Sequence, residues 1–309
     1  GFASRDAAEA ALRIARSWAD VDAASELRRR LGDANAVASR ETVMVGEYDH
    51  AECIRVTAAD ERWAEVQRAH PAIVAYLEDR LGTVASRDEL MARALLDRDP
   101  DSCNWSQLWF SVRNMPDDEA TLRWATKILM HPDQDARRFA AEVVVSRSFE
   151  QAEPVAGYVL DALRTRLAVE PDAGVLVSLI LAFSNYHNSG VPPEVVAHAE
   201  HPDPGVRGAV AHGYYGALSD PAAVPGSVET LTKLARDRDG QVRATALWVF
   251  RVHAFDHPVT GHLIAAGRDD PDARVRAEAW AGPARGGETA AYEEPRRGAD
   301  EPGEGSSRP

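Results

Sequence analysis

The chain has 309 residues, 45% of them hydrophobic and 27% charged, and a formal net charge of −14 at pH 7. This composition is typical of a folded soluble protein, and the length suits two ordinary domains or one elongated repeat array. A surface this negative repels phosphate, so nucleic acid is an unlikely partner and a basic protein or peptide a better one. The sequence contains neither the ~20-residue apolar run of a membrane span nor a secretory pattern, so we expect a cytoplasmic protein without membrane contact.

The first 94 residues are interpreted as an N-terminal helical cap. Residues 5–31 carry a strongly helical pattern, and residues 59–81 carry a second one in which Trp63, Val66, Ile73 and Tyr76 are candidate buried positions. Between them, residues 42–56 are rich in Val, Ile and Thr, which predicts either a short hairpin or an irregular loop.

The two cysteines, Cys53 and Cys103, are too few for a disulfide scaffold and are expected to be packing residues. The segment from Glu47 to Cys53 has the densest set of candidate metal ligands, but its spacing matches no zinc or iron pattern. His131 and His201 each precede a Pro-Asp pair and are interpreted as structural residues. The sequence therefore predicts no metal site, no cofactor and no catalytic residue.

From residue 95 onward, one phrase recurs along the chain. It consists of Pro-Asp, two variable residues, Val-Arg and then an apolar helical run. Its aspartate recurs at intervals of about 31 to 39 residues. The six positions are Asp101, Asp133, Asp172, Asp203, Asp239 and Asp272. Proline ends the preceding helix, and the aspartate can cap the next one by accepting hydrogen bonds from its free amides. Each phrase is therefore predicted to be the corner of a helix pair.

This phrase resembles the short HEAT-like repeat of bacterial scaffolds and phycobilin lyases over residues 95–281. Four of the six copies depart from it in part: Asn104-Trp105 replaces Val-Arg in the first, Ala136 replaces the valine in the second, Leu176 replaces the arginine in the third, and Arg238 replaces the proline in the fifth. The resemblance implies an all-α fold, an α-solenoid of about six HEAT-like helix pairs. Residues 282–309 are almost devoid of apolar side chains and are predicted to be a disordered C-terminal tail.

In each second helix, one face is apolar and predicted to form the core between layers. The opposite face is expected to line the inner groove of the solenoid and to be the binding surface. Its aromatic, amide and isolated charged residues are typical of ligand surfaces; the predicted binding residues are Gln107, Phe110, Arg113, Asn114, Phe139, Glu142, Asn185, His212, Tyr215, Trp248 and Arg251.

Three functions remain open from the sequence. The first is a protein-binding scaffold whose groove takes a basic partner segment. The second is a small-ligand-binding or lyase-like protein with a pocket formed by Phe183, Tyr186, His212, Tyr215 and Trp248. The third, an enzyme like the HEAT-like DNA glycosylases, is disfavoured by charge. The arginine of the repeated phrase is expected to pair with an aspartate of the neighbouring repeat.

Overall fold

The computed structural model describes residues 4–19, 21–45, 49–149, 155–187, 191–215, 218 and 226–281, and these residues are mostly helical. The chain forms two compact units, Gly1–Leu163 and Arg164–Pro309. The predicted boundaries at residues 94 and 281 remain predictions, and the tail from 282 to 309 lies outside the described residues.

The N-terminal unit begins with two helices and three strands and continues with helices. Their bounds are α1 (Arg5–Ala19), α2 (Ala23–Leu31), β1 (Val37–Val45), β2 (Asp49–Thr57), β3 (Trp63–Gln67), α3 (His70–Leu81), α4 (Arg87–Asp97), α5 (Cys103–Arg113), α6 (Asp118–Ile128) and α7 (Gln134–Ser148). Helix α8 (Gly157–Leu167) spans the division between the units.

The strands form one antiparallel sheet in the order β1-β2-β3. Ile54 and Val56 of β2 point to the face covered by α2, where they pack with Leu27. The hairpin alternative for residues 42–56 is therefore confirmed. The helix predicted from residue 59 is wrong over its first part, because Ala64 and Val66 pair with β2 and only residues 70–81 are helical.

Helices of the N-terminal unit pack in succession, α1 on α3, α3 on α5 and α5 on α7. The contact between α1 and α3 is formed by Leu12, Val74 and Leu77, with small alanines between them. This succession sets α3 beside α5, which is the arrangement that creates the cleft described below.

The C-terminal unit is built from helices α9 (Ala173–His187), α10 (Pro193–Val196), α11 (Pro204–Gly213), α12 (Ser227–Leu234), α13 (Gly240–His253), α14 (Pro258–Gly267) and α15 (Ala273–Trp280). Helix α9 packs on α11, α11 on α13 and α13 on α15. The predicted core positions of these helices are buried, among them Leu179, Phe183, Val210, Tyr214, Ala246 and Phe250.

The Pro-Asp corners have the predicted capping geometry. Asp133, Asp203, Asp239 and Asp272 accept hydrogen bonds from the first amides of α7, α11, α13 and α15, whereas at the first corner Ser102 is the cap. The residue two positions before each aspartate of the repeated phrase accepts a hydrogen bond from that aspartate's own amide. These acceptors are Asp99, His131, Glu170, His201, Asp237 and Asp270. The structural interpretation of His131 and His201 is thereby confirmed.

In two copies, the arginine of the phrase donates hydrogen bonds both to carbonyls of its own corner and to an aspartate of the next corner. Nη1 of Arg207 donates to two carbonyls of its corner, while Nε and Nη2 donate to Asp237 at 2.8 and 2.7 Å. Arg243 repeats this geometry with Asp270 at 2.9 and 2.6 Å. The predicted pairing between neighbouring phrases is confirmed at these two positions. The solenoid arrangement and the number of repeats remain predictions.

Candidate functional site

An apolar cleft of about 610 Å³ lies in the N-terminal unit between α3, α5 and the facing ends of β1 and β2. We call it the α3–α5 cleft; it is lined by Val45, Asp49, Ala69, Ala72, Ile73, Tyr76, Cys103, Ser106, Gln107, Trp109 and Phe110. Ile73, Tyr76 and Phe110 are 42%, 42% and 43% exposed, which is unusual for large apolar side chains that lie together.

Helix α5 presents its lining residues because its other face is fixed in the core. Trp105, Leu108 and Val112 are fully buried, so helical periodicity turns Gln107 and Phe110 toward the cleft. The helix begins at a defined point, since the Ser102 side chain accepts a hydrogen bond from the amide of Trp105 at 3.2 Å.

The strand wall of the cleft is attached to α5 and to the corner before it by polar contacts. Ser106 Oγ donates to Asp49 Oδ1 at 2.8 Å, and His50 Nε2 lies 2.7 Å from Asp99 Oδ2. The amide of His50 also donates to the carbonyl of Asp101 at 3.2 Å. These contacts hold the Asp49 carboxylate at the edge of a mainly apolar surface.

Cys103 lines the cleft as a protonated thiol. Burial raises the pKa of the Cys103 thiol, and the nearby carboxylates of Asp49 and Asp97 raise it further. A thiol in this state is a poor nucleophile. Both cysteines are free and buried, which confirms the prediction that they are packing residues.

The candidate metal ligands between Glu47 and Cys53 have other roles in the described residues. Asp49 is engaged by Ser106, and Glu52 is paired with Arg40 at 2.9 Å and Arg68 at 3.1 Å. Glu47 lies outside the described residues. Within the part of the chain that the structure describes, no three His, Cys, Asp or Glu side chains are grouped as a metal site.

Gln107 and Phe110 are the two predicted binding residues that line the cleft. Arg113 is the last residue of α5, and Asn114 is its C-cap. The Arg113 guanidinium lies 5.6 Å from the Phe110 ring centroid and donates to Asn114 Oδ1 at 3.0 Å. All four predicted binding residues of α5 and its C-terminal end are therefore at least partly accessible.

The α7 part of the stripe is placed differently. Phe139 is fully buried and packs edge-on against Trp105 with ring centroids 5.4 Å apart. Glu142 accepts a hydrogen bond from Trp105 Nε1 at 2.5 Å and another from Arg138 Nε at 3.2 Å. We therefore assign Phe139 to the core and Glu142 to the support of Trp105, because both side chains are committed to contacts inside the unit.

In the C-terminal unit, three predicted binding residues form an aromatic stack. The ring of Trp248 lies 5.5 Å from that of His212 and 5.2 Å from that of Tyr215, and the Tyr215 ring meets His253 edge-on at 3.9 Å. Burial, with a smaller contribution from His253, lowers the pKa of His212 to about 4. The stack therefore contains a neutral imidazole at pH 7.

The residues of the predicted small-ligand pocket are mostly buried side chains. Phe183 is fully buried, and Tyr186, His212 and Trp248 are nearly so, which leaves Tyr215 as the most accessible of the five. Two further predicted binding residues lie elsewhere in this unit: Asn185 is half-buried in α9, and the buried Arg251 pairs with Glu278 at 3.1 Å.

Sequence reasoning missed half of the cleft wall. The sequence predicts that Ile73 and Tyr76 are buried, which is wrong because each is 42% exposed, and it predicts no binding role for the hairpin or loop of residues 42–56. Their spacing of three residues does place Ile73 and Tyr76 on one helical face, but it does not reveal whether that face is covered. The packing of α3 beside α5 decides this.

A scan of protein-family models and searches of curated proteins and of solved structures found no significant match to the chain. Within the described ranges, no helix combines the length and apolar character needed to cross a bilayer.

Proposed function

We propose that this chain is a protein-binding scaffold of the HEAT-like type that receives an apolar side chain of a partner segment in the α3–α5 cleft. The observation that carries the proposal is the accessible apolar wall formed by Ile73, Tyr76 and Phe110. Contiguous exposed apolar groups at the surface of a folded protein mark sites of interaction, and aromatic anchors commonly dominate the binding energy of such interfaces.

The charge of the chain supports a basic partner. Asp49 is held at the edge of the cleft by Ser106, and the net charge of the whole chain is −14. A lysine or arginine next to the anchoring side chain would meet the Asp49 carboxylate while the apolar group fills the cleft. Exposed charge pairs are screened beyond about 8 to 10 Å at physiological salt, so affinity should fall as salt is added.

The test selects peptides from a displayed library of random 12-residue sequences on the immobilised full chain. We expect enriched peptides to carry a large apolar residue next to Lys or Arg. Phe110→Asp should weaken their binding at least about tenfold, since a carboxylate cannot be desolvated in the cleft without a partner. Failure to enrich any peptide counts against the proposal, as does equal binding to Phe110→Asp.

Phe149→Asp is the matched control. Phe149 is 59% exposed, belongs to the same unit and is not among the cleft residues, so the same chemical change there should leave peptide binding unchanged. Equal loss of binding in both variants would assign the effect to charge or stability rather than to the cleft.

A second candidate function uses the same cleft for a small apolar molecule. Its volume of about 610 Å³ is within the ~300 to 1,000 Å³ range of small-molecule sites. Native mass spectrometry of the purified chain distinguishes the two functions. A compound retained by the native chain and lost from Phe110→Asp supports the small-ligand function, whereas peptide capture by a chain free of any compound supports the scaffold.

A further inference from the structure

Strand β1 is an exposed edge of the sheet in the described part of the chain. The strand order β1-β2-β3 leaves one side of β1 without a neighbouring strand, and none of its nine residues is buried. The opposite edge, β3, has only five residues. A long exposed edge presents unpaired backbone groups that can template the addition of another strand.

The ladder geometry identifies which residues of β1 face outward. The amide of Arg68 donates to the carbonyl of Glu52 at 2.8 Å, so the even-numbered residues of β2 face β3 and the odd-numbered ones face β1. Odd residues of β1 lie opposite odd residues of β2. The backbone groups that point away from the sheet are therefore those of Ala38, Arg40, Thr42 and Met44.

Side chains do not block this edge. The charge of Arg40 is directed back over the sheet, where Nη1 lies 2.9 Å from Glu52 Oε1. Thr42 at the centre of the edge is small and exposed. Charged side chains and proline are the usual protection of an edge strand. Glu41, the second charged residue of β1, is at a position whose backbone faces β2, and β1 contains no proline.

The edge leads directly to the α3–α5 cleft. Val45, the last residue of β1, lines the cleft together with Asp49, its partner in the ladder. Directly opposite residues in an antiparallel pair have Cβ atoms about 4.5 to 5.5 Å apart on the same face. A residue paired beside the end of β1 would thus extend its side chain next to Val45 and into reach of the cleft.

We propose that the partner segment binds as an extended strand along the outer edge of β1, with one apolar side chain in the α3–α5 cleft. This inference rests on the proposed function and adds the conformation of the partner and a second surface that recognises it. Main-chain hydrogen bonds to Arg40 and Thr42 supply affinity, and the cleft selects the side chain, which is the division of roles expected for β-strand addition.

The decisive variant is Thr42→Pro, with Thr42→Val as its matched control. Proline removes an outward-facing amide and leaves the β1–β2 ladder intact, because Thr42 does not donate to β2, and proline is tolerated at such edge positions. Valine removes the hydroxyl and keeps the amide. Peptides selected on the native full chain are measured against both variants and against Phe110→Asp, after thermal unfolding has shown whether each variant folds.

We expect Thr42→Val to bind like the native chain and Thr42→Pro to lose at least about tenfold in affinity. Loss with Phe110→Asp but not with Thr42→Pro overturns the edge proposal and leaves the proposed function standing. Failure to select any peptide counts against both. Concentration-dependent dimerisation that Thr42→Pro abolishes would assign the edge to a second copy of the chain and also overturn the proposal.

A measurement on the peptide covers the case in which Thr42→Pro does not fold. Backbone N-methylation at successive residues of a selected peptide should weaken binding at every second position, because alternate amides of a strand point toward its neighbour. A helical ligand would instead lose affinity at side-chain positions three and four residues apart and would contradict the proposal.

Discussion

Arg207 and Asp237 form a bidentate pair between the corners that precede α11 and α13, with Nε and Nη2 donating at 2.8 and 2.7 Å. Both side chains are almost fully buried, at 5% and 11% exposure. Removing one partner of such a pair leaves an uncompensated buried charge. The pair is therefore a point at which the C-terminal unit should be sensitive to single substitutions.

Asp237→Ala should lower the free energy of unfolding by about 3 kcal/mol, because it strands the Arg207 guanidinium and also removes the acceptor for the amide of Asp239. Glu200→Ala, which breaks the exposed pair with Lys233, is the control and should leave the free energy of unfolding nearly unchanged. Urea unfolding measures both. Similar midpoints for the two variants would show that the buried pair is not important for stability.

Glu142 is expected to act on stability. Glu142→Ala removes the acceptor of Trp105 Nε1 inside the N-terminal unit and should lower the free energy of unfolding by about 1 to 2 kcal/mol. Glu142→Gln keeps an acceptor oxygen and should cost less. Chemical denaturation of both variants, followed by tryptophan fluorescence, measures the difference; equal losses would mean that the hydrogen bond to Trp105 does not matter.

The aromatic stack predicts a loss of stability in mild acid. The pKa of His212 is about 4 in the folded protein and 6.5 is its usual value, so the unfolded chain binds a proton more readily. The contribution of His212 to the free energy of unfolding should be fully present at pH values well above 6.5. It should decline as the pH falls toward 4, by about 2 kcal/mol at pH 5.

His212→Phe keeps a ring in the stack and should reduce the difference between unfolding free energies at pH 7.5 and pH 5. The remaining dependence would include His253, whose pKa is also lowered by burial. His262→Asn changes an exposed histidine outside the stack and is the control variant. An unchanged pH profile in His212→Phe would contradict the assignment.

Two glycines should respond to alanine in opposite directions. A Cβ on Gly240 would lie 2.7 Å from Cβ and 1.8 Å from Oδ2 of Asp272, the cap of α15, so Gly240→Ala should destabilise by about 1 kcal/mol or more. A Cβ on Gly208, in the interior of α11, meets nothing within 4 Å, so Gly208→Ala should stabilise by about 0.5 to 1 kcal/mol. Calorimetry of both variants measures the contrast; equal shifts would contradict it.

Asp49→Asn provides a test of the charge at the cleft. The amide oxygen of asparagine can still accept from Ser106, so the wall should keep its shape while its charge is lost. Basic peptides selected on the native chain should then bind more weakly at low salt, and their affinity should depend less on salt. Titrations at two salt concentrations measure this, and an unchanged salt dependence would show that Asp49 does not contact the partner.

The corners could be predicted from the sequence because their chemistry is local. Asp203 caps amides two and three residues away, and Arg207 reaches carbonyls five and six residues back. Such contacts are determined by residues close together in the chain, so a recurring phrase is sufficient to find them. The buried faces of the second helices follow equally from periodicity.

Residues 63–67 could not be predicted from their own pattern, because Val66 is held by pairing with Ile54, twelve residues earlier. The same limit applies to the binding surface. Phe110 and Phe139 both occupy the predicted groove face, yet Phe110 is accessible and Phe139 is enclosed by Trp105 and Trp124. The sequence alone determined the aspartate caps of α7, α11, α13 and α15; only tertiary packing decided which apolar faces are covered, because burial depends on neighbours distant in the chain.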